Sequence, residues 1–504
     1  MSQTLNYVAL DLGAESGRAI LGAFDGERID LSQVHRFPTG GVRVSEPAAC
    51  GDGLHWDALR LWSEIKTGIG LAAAKIGGPL ASAGLDTWGV DYGLLDRQGV
   101  LIGNPYHYRN SRTDGMMAEA FRRVPREAVF AATGIQFMQL NTLYQLLAAV
   151  LGDSPALASA KTYLGIPDLF NYWLSGRAVC EFSHATTTQC YDPRARGWAT
   201  SLLASLGIPT GIFPEIVPSA SLLGEMLPAV AEETGTPGLA IVAPACHDTG
   251  SAVAAVPATD PDFVWISSGT WSIMGIEAQE PIITDRSLRF NFTNEGGARG
   301  TIRFSKNITG LWLVQECRRT WASQGQDLSY EALTGLARQA RPLQSVIDPD
   351  YDDFLKPGDM PARIASHCRR SGQPVPEDKG AMIRCVLEGL ALKYRHVLEG
   401  LEEMAGRRLG PIHIIGGGTQ NRLLCQFTAD ATGRPVIAGP VEATATGNLL
   451  LQAIALGHLA SLADLRRVVR NSFAVETYEP GPHSGWDDAY DRFKQLMPAD
   501  NSAI

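Results

Sequence analysis

Short apolar runs bounded by glycine, serine and aspartate open the chain. "NYVALDLG", "GRAILGAFDG" and "RIDLSQVHRF" read as three strands. A Gly/Ser turn joins the first pair and an Asp-Gly turn the second. The layout returns at mid-chain, where "DFVWISSG" meets "TWSIMGIEA" across another glycine turn, from Asp262 to Ala278. Laying Tyr7–Gly13 on Phe263–Gly269 pairs strand with strand and turn with turn. Two such hairpins predict a duplicated domain with a cleft between the copies. The proline- and aspartate-rich "VPATDPD" sets the boundary, giving residues 1–256 and 257–504.

Between the hairpins the period changes to that of helices. "WDALRLWSEIKTGIGLAAAKI" has helical spacing at Trp56, Leu59, Ile65, Ile69 and Ala72. The strand "LASAGLDTWG" follows it, Gly134 to Trp173 reads as mainly helical, and "LAIVAPA" reads as a buried strand. Near the C-terminus the helix "AMIRCVLEGLALKYRHVLEGLEEMAG" stops at Gly406. Strand "PIHIIGGG", helix "NRLLCQFTADATG", strand "RPVIAGP" and helix "ATGNLLLQAIALG" come after it. This alternation predicts an α/β fold with strands covered by helices.

Composition narrows the class. The 504 residues are 45% hydrophobic and 19% charged, with a net charge of −10. That describes a folded protein, and the acidic balance argues against nucleic acid or an anionic membrane as partner. The start "MSQTLNYVALDLG" lacks the basic region and cleavage site of a signal peptide, so a cytoplasmic enzyme is expected. The eight cysteines (50, 180, 190, 246, 317, 368, 385 and 425) form no CxxC pair and no zinc pattern, and read as buried free thiols.

Three turns carry candidate phosphate chemistry. "DLGAESGRA" presents Gly13, Ala14, Ser16 and Gly17, whose backbone amides can approach a phosphate. Arg18 adds positive charge, and Asp11 can hold Mg²⁺ through water. "SSGTWS" repeats the chemistry at Ser267, Ser268, Gly269 and Thr270. "IIGGGTQN" places Gly416, Gly417 and Gly418 between a buried strand and a helix. Each turn alone is also compatible with an ordinary hairpin or tight packing. The third is not GxGxxG, and no acidic residue ends the next strand, which argues against a dinucleotide site and a dehydrogenase.

Asp248 lies in "PACHDTGSAV", where a strand gives way to a small-residue helix. It reads either as a helix N-cap or as the base that takes a proton from an attacking hydroxyl. "GLDTWGVDYGLLD" adds Asp86, Trp88, Gly89 and Asp91, and "YHYRNSRT" adds Arg109 and Arg112. Carboxylates beside an aromatic face suit a polyhydroxylated sugar, although Trp88 also reads as packing and the arginines as partners of Asp86 or Asp91.

At these residues the chain resembles the FGGY carbohydrate kinases over nearly its whole length. The segments that carry the resemblance are "DLGAESGR", "GLDTWGVDYGLLD", "YRNSRT", "GIQFMQLNTLYQL", "HATTTQ", "HDTGSAV", "SSGTWSIMG", "TNEGG", "KNITGLWLVQE", "IIGGGTQNRLLCQ" and "VIAGPVEATATGN", in that order. The resemblance implies an actin-like, duplicated ribonuclease-H-type fold, with sugar bound mainly by the first domain and ATP mainly by the second. It implies transfer of the γ-phosphoryl group of Mg²⁺-ATP to the 1-hydroxyl of L-rhamnulose, with another ketose such as L-fuculose as the alternative. On this basis Asp248 is the proton acceptor, and His247, Asp248, Thr249, Gly89 and Asn307 contact sugar. ATP would meet Ala14, Glu15, Ser16, Gly17, Arg18, Thr270, Gln315 and Gly417. A polyphosphate would repel Glu15, so its carboxylate is expected to turn away and leave only its amide. The resemblance also implies that Cys368 and Cys385 are neighbours that can be bridged. An actin-like nucleotide-switch ATPase is the remoter alternative, and it needs neither the base nor the aromatic pocket.

Overall fold

The structure is a computed structural model that describes residues 4–46, 51–481 and 485–497. Cys50 lies outside the described residues. Two mixed sheets share one wiring. In the first, β1 (Leu5–Leu12), β2 (Ser16–Phe24) and β3 (Ile29–Pro38) form an antiparallel meander. Strand β4 (Ser82–Thr87) then adds parallel to the free side of β1, β6 (Ala240–Ala243) adds parallel to β4, and β5 (Ser221–Glu225) closes the edge antiparallel. The order is β5-β6-β4-β1-β2-β3.

The second sheet repeats the plan with β7 (Val264–Ser268), β8 (Trp271–Ala278) and β10 (Ile302–Thr309) as its meander. β11 (Ile412–Ile415) and β12 (Val436–Ala438) add in parallel beyond β7, and β13 (Glu476–Tyr478) closes antiparallel. One extra strand, β9 (Thr293–Gly296), pairs outside β10. β1 and β7 therefore occupy equivalent places, as the laid-over hairpins predict. The architecture is the duplicated two-domain α/β fold expected from the sequence.

Helix ends follow local chemistry. The Asp57 carboxylate accepts from Arg60 N at the start of α1 (Ala58–Ile76), which ends at Gly77 with φ 62°. The long helix α5 (Lys379–Ala405) begins at Asp378, which accepts from Ala381 N, and ends at Gly406 with φ 65°. It starts two residues before the apolar pattern does, because the cap sets the start. Between Gly134 and Trp173 the expected helices are interrupted by one strand, Thr162–Gly165.

The two halves meet through two helices. α3 (Asp248–Ala254) follows β6, and α7 (Ala443–Ala455) occupies the equivalent place after β12. One shared core holds Tyr7, Ala9 and Ile20 of the first sheet, Ala252–Val256, Trp265 of the second, and Leu449–Leu451. α7 also crosses onto the first sheet: Gln452 Nε2 donates to Val8 O at 3.1 Å and Asn448 Nδ2 to Gly84 O at 3.2 Å. The helices touch at Gly447, where a Cβ would stand 1.8 Å from Ser251 O. Seven described cysteines are buried free thiols; Cys368 and Cys385 are hydrogen-bonded neighbours and unbridged. Among the described residues no helix is long and apolar enough to cross a membrane.

Candidate active site

A cleft of about 830 Å³ opens at the C-terminal ends of β1, β6, β7 and β11. Open α/β sheets place ligands there, because strand-to-helix turns leave backbone amides unpaired. The 13–16 turn, the 267–270 turn, Gly416–Gly417 and the start of α3 all line this one cleft. The duplication thus brings the three candidate phosphate turns and the candidate base to a single place.

His247 is the N-cap of α3 in extended conformation, and Asp248 is the first helical residue. The cap alternative for Asp248 therefore fails, although its charge still sits favourably at the positive end of the helix. Oδ1 accepts from Thr249 N at 2.5 Å and from Thr249 Oγ1 at 3.0 Å, and His247 Nε2 lies 3.4 Å from it. Among the described residues no partner engages Oδ2, and the side chain is 31% exposed at the cleft. One oxygen is fixed and the other is available.

Buried groups hold this loop from behind. Ser183 Oγ accepts from His247 N at 3.0 Å and donates to Glu181 Oε2 at 2.5 Å. The same Glu181 oxygen accepts from Cys246 N at 2.9 Å. Burial raises the Glu181 carboxyl, and its four hydrogen bonds oppose that. Arg303 Nη2 donates to His247 Nδ1 at 2.8 Å and pairs with Glu295 Oε2 at 3.1 Å. Burial alone would raise Glu295, but Arg303 and His247 outweigh it and hold it at about 2. Glu181, Ser183, Glu295 and Arg303 were not singled out in the sequence. Their partners lie across the fold, so no local spacing announces them.

Gly89, Val90, Gln136 and Asn307 complete the first-domain side of the cleft. Asn307 donates through Nδ2 to Gln136 Oε1 at 3.0 Å, so strand β10 of the second half reaches the first. Val90 has φ 68°, a conformation costly for a β-branched residue and held by Thr142 Oγ1 donating to Val90 O at 2.5 Å. Trp88 lines the cleft with its ring stacked on Trp56 at 3.8 Å, so one face is already covered. Asp91 is a brace and no cleft residue. It accepts from Trp56 Nε1 at 2.6 Å, Trp88 Nε1 at 3.1 Å and Tyr108 N at 3.1 Å. Arg112 donates to Gln145, which donates to Asp91, and its charge also acts on that carboxylate, whereas Arg109 is at the cleft over Trp312.

The nucleotide candidates divide. Ala14, Glu15, Ser16, Arg18, Thr270 and Gly417 line the cleft, and a Cβ on Gly417 would meet no protein atom within 4 Å. Gly17 is instead buried in β2, where a Cβ would stand 2.4 Å from the Phe37 ring, so packing explains it. Gln315 stands behind Thr270, donating to its Oγ1 at 3.1 Å. Glu15 is exposed at the rim of the cleft, and its charge acts on Tyr108. Arg18 is occupied by Asp11 Oδ2 and Glu442 Oε2, each at 2.5 Å.

Asp11 and Asp86 lie deeper, close enough to Asp248 and to each other for their charges to interact. Burial raises both, and Asp11 raises Asp86 further against the bond from Asn448 Nδ2 at 2.5 Å. Asp86 Oδ1 is buried with no hydrogen-bond partner. Among the described residues no three His, Cys, Asp or Glu side chains form a metal-binding group.

Models of the N- and C-terminal domains of the FGGY family of carbohydrate kinases match residues 6–255 and 264–456. The chain belongs to the FGGY family of carbohydrate kinases. A rhamnulokinase of Bacteroides thetaiotaomicron is 42% identical to it over 492 residues, covering 98% of this chain and 99% of that one. A rhamnulokinase of Oceanobacillus iheyensis is 38% identical over 471 residues, covering 94% and 97%. Among solved structures, a gluconate kinase of Lactobacillus acidophilus superposes with a TM-score of 0.82 at 16% identity, covering 98% of both chains. Plasmodium falciparum glycerol kinase with ADP superposes with 0.78 at 13% identity and the same coverage. At such identities these superpositions speak to the fold of this FGGY kinase, which they share end to end.

Proposed function

We propose that this FGGY kinase transfers the γ-phosphoryl group of ATP to the 1-hydroxyl of L-rhamnulose, giving L-rhamnulose 1-phosphate and ADP, as a cytoplasmic step in the breakdown of L-rhamnose. The observation that carries the mechanism is Asp248, with one oxygen pinned and the other available, facing a cleft rimmed by three phosphate-sized turns. Near-full-length identity to rhamnulokinases supports the choice of sugar.

Residues 1–256 supply most of the sugar site and 257–504 most of the ATP site, with exchanges at the border. Asn307 reaches back to the sugar, and the 14–18 turn reaches forward to the phosphates. His247, Thr249, Gly89 and Asn307 orient the ketose so that its 1-hydroxyl lies against Asp248 Oδ2. Asp248 accepts the hydroxyl proton as the oxygen attacks phosphorus, and ADP leaves on the opposite side. Closing the halves over the cleft excludes water, the competing acceptor.

Asp11 and Asp86 fit a Mg²⁺ ion. They are crowded carboxylates, and Asp86 Oδ1 lacks a partner. Mg²⁺ asks for only one or two protein carboxylates, its other ligands being phosphate oxygens and water. When bound, the ion screens the charge of the phosphates.

Asp248→Asn is expected to fold and bind ATP as the wild type does while its kcat falls by roughly 10²–10⁴, the usual contribution of a general base. Retained sugar-dependent turnover in that variant contradicts the assignment.

A further inference from the structure

We propose that Arg303, braced by Glu295, is a positioning residue that fixes His247 as the tautomer protonated at Nε2 and aims that N–H at Asp248 and the sugar. The inference rests on the reading of His247 and Asp248 as sugar contact and base.

The shorter of two contacts at His247 Nδ1 decides the assignment. A guanidinium has only donors, so at 2.8 Å from Arg303 Nη2 the His247 Nδ1 must present a lone pair. A proton on Nδ1 would set two N–H groups head to head. Glu295 Oε2, 3.4 Å from the same nitrogen, would favour the opposite tautomer by accepting from an Nδ1–H. The shorter contact belongs to Arg303, and Arg303 also pairs with that carboxylate oxygen at 3.1 Å. The remaining hydrogen therefore lies on Nε2, 3.4 Å from Asp248 Oδ1 and at the cleft.

Arg303 is itself held by the strands around it. It is fully buried in strand β10, and its Nε donates to Gly296 O at 2.9 Å on the neighbouring strand β9. Gly296 N in turn donates to Thr186 Oγ1 at 2.7 Å, tying β9 to the "HATTTQ" helix beside Ser183. The second half of the chain thus sets the hydrogen-bond polarity of a residue in the first. Neither Arg303 nor Glu295 has to touch the phosphoryl group for this role.

The test is nitrogen-15 NMR of the histidine-labelled full chain, with the His247 signals identified by their loss in His247→Asn, alongside steady-state kinetics. The wild type is expected to show a proton-bearing Nε2 and a bare Nδ1. In Arg303→Met that pattern is lost, and kcat/KM for the sugar falls about 100-fold, as misplacement of a site group does, while KM for ATP stays unchanged. Arg303→Lys, which keeps a donor, restores part of the loss. Because Arg303→Met leaves a buried carboxylate unpaired, the double variant Glu295→Gln/Arg303→Met removes both charges and decides the matter if the single variant does not fold.

A wild-type Nδ1–H pattern overturns the inference. So does either folded variant that keeps the Nε2–H pattern and the wild-type sugar kinetics. Failure of the parent reading looks different: Asp248→Asn stays active while the wild-type tautomer pattern stands.

Discussion

At the residue scale the sequence shows which groups carry chemistry better than it shows what holds them. Asp248 stands out because a lone carboxylate follows a buried strand and opens a helix of small residues. Its partner Thr249 is adjacent and equally visible. Arg303 and Glu295 are hidden because they contact His247 across strands that lie far from it in the chain. Asp91 illustrates the opposite error: a carboxylate beside a tryptophan suggested a sugar contact, yet it is buried under two indoles. Burial, opposed by the bonds from Gln145, Trp56 and Trp88, pushes its carboxyl up to about 6 from 3.8. A raised folded value means the native state binds the proton more tightly than the unfolded chain does. Its contribution to stability is therefore full below about pH 4 and is lost as pH rises to about 6, on the order of 3 kcal/mol in total. Urea unfolding of the wild type and Asp91→Asn across this range is expected to show a difference that drifts with pH and then levels above pH 6. A difference constant with pH would contradict the buried-brace account.

At the element scale the strands and helices were legible wherever caps and periodicity agreed. α1, α5 and α6 (Arg422–Thr432) run between the Asp or Asn caps and the Gly stops that their sequences offer. The turns were harder to read, because glycine serves either ligand approach or packing, and only neighbours decide which. Gly417 faces open space at the cleft, whereas Gly17 lies under Phe37. The same test separates glycines inside helices. Gly335, within the helix Tyr330–Gln339, has no atom within 4 Å of a built Cβ and carries no positive φ. Gly335→Ala is expected to stabilise the protein by about 0.5–1 kcal/mol, read as a higher midpoint in thermal or urea unfolding, with kinetics unchanged. A lowered midpoint would show that the space is needed.

At the scale of the whole molecule the duplication was legible from two hairpins alone, because equivalent strands keep equivalent turns. The crossing of α7 onto the first sheet was not. Its contacts are long-range, and its apolar run fits either half equally well. That crossing matters because α3 and α7 each begin at the cleft and meet at Gly447 and Ser251. Gly447→Ala would drive a methyl into the Ser251 carbonyl and force the helices apart. It is expected to cost about 1–3 kcal/mol, and to lower kcat by displacing the start of α3. A variant with unaltered stability and turnover would show that the junction is loose. Arg18 spans the same junction, holding Asp11 with one nitrogen and Glu442 with the other. The first phosphate turn is thereby tied to the start of α7.

ADP release by the purified chain with Mg²⁺-ATP reads sugar-dependent phosphoryl transfer itself, with L-rhamnulose set beside L-fuculose, L-xylulose, D-xylulose and glycerol. Rapid ADP release is expected with L-rhamnulose, weak release with the other acceptors, and little with no sugar present. ADP release at the same rate whatever sugar is supplied would contradict it, and would leave Asp248 as a helix-terminal carboxylate in a nucleotide-switch ATPase.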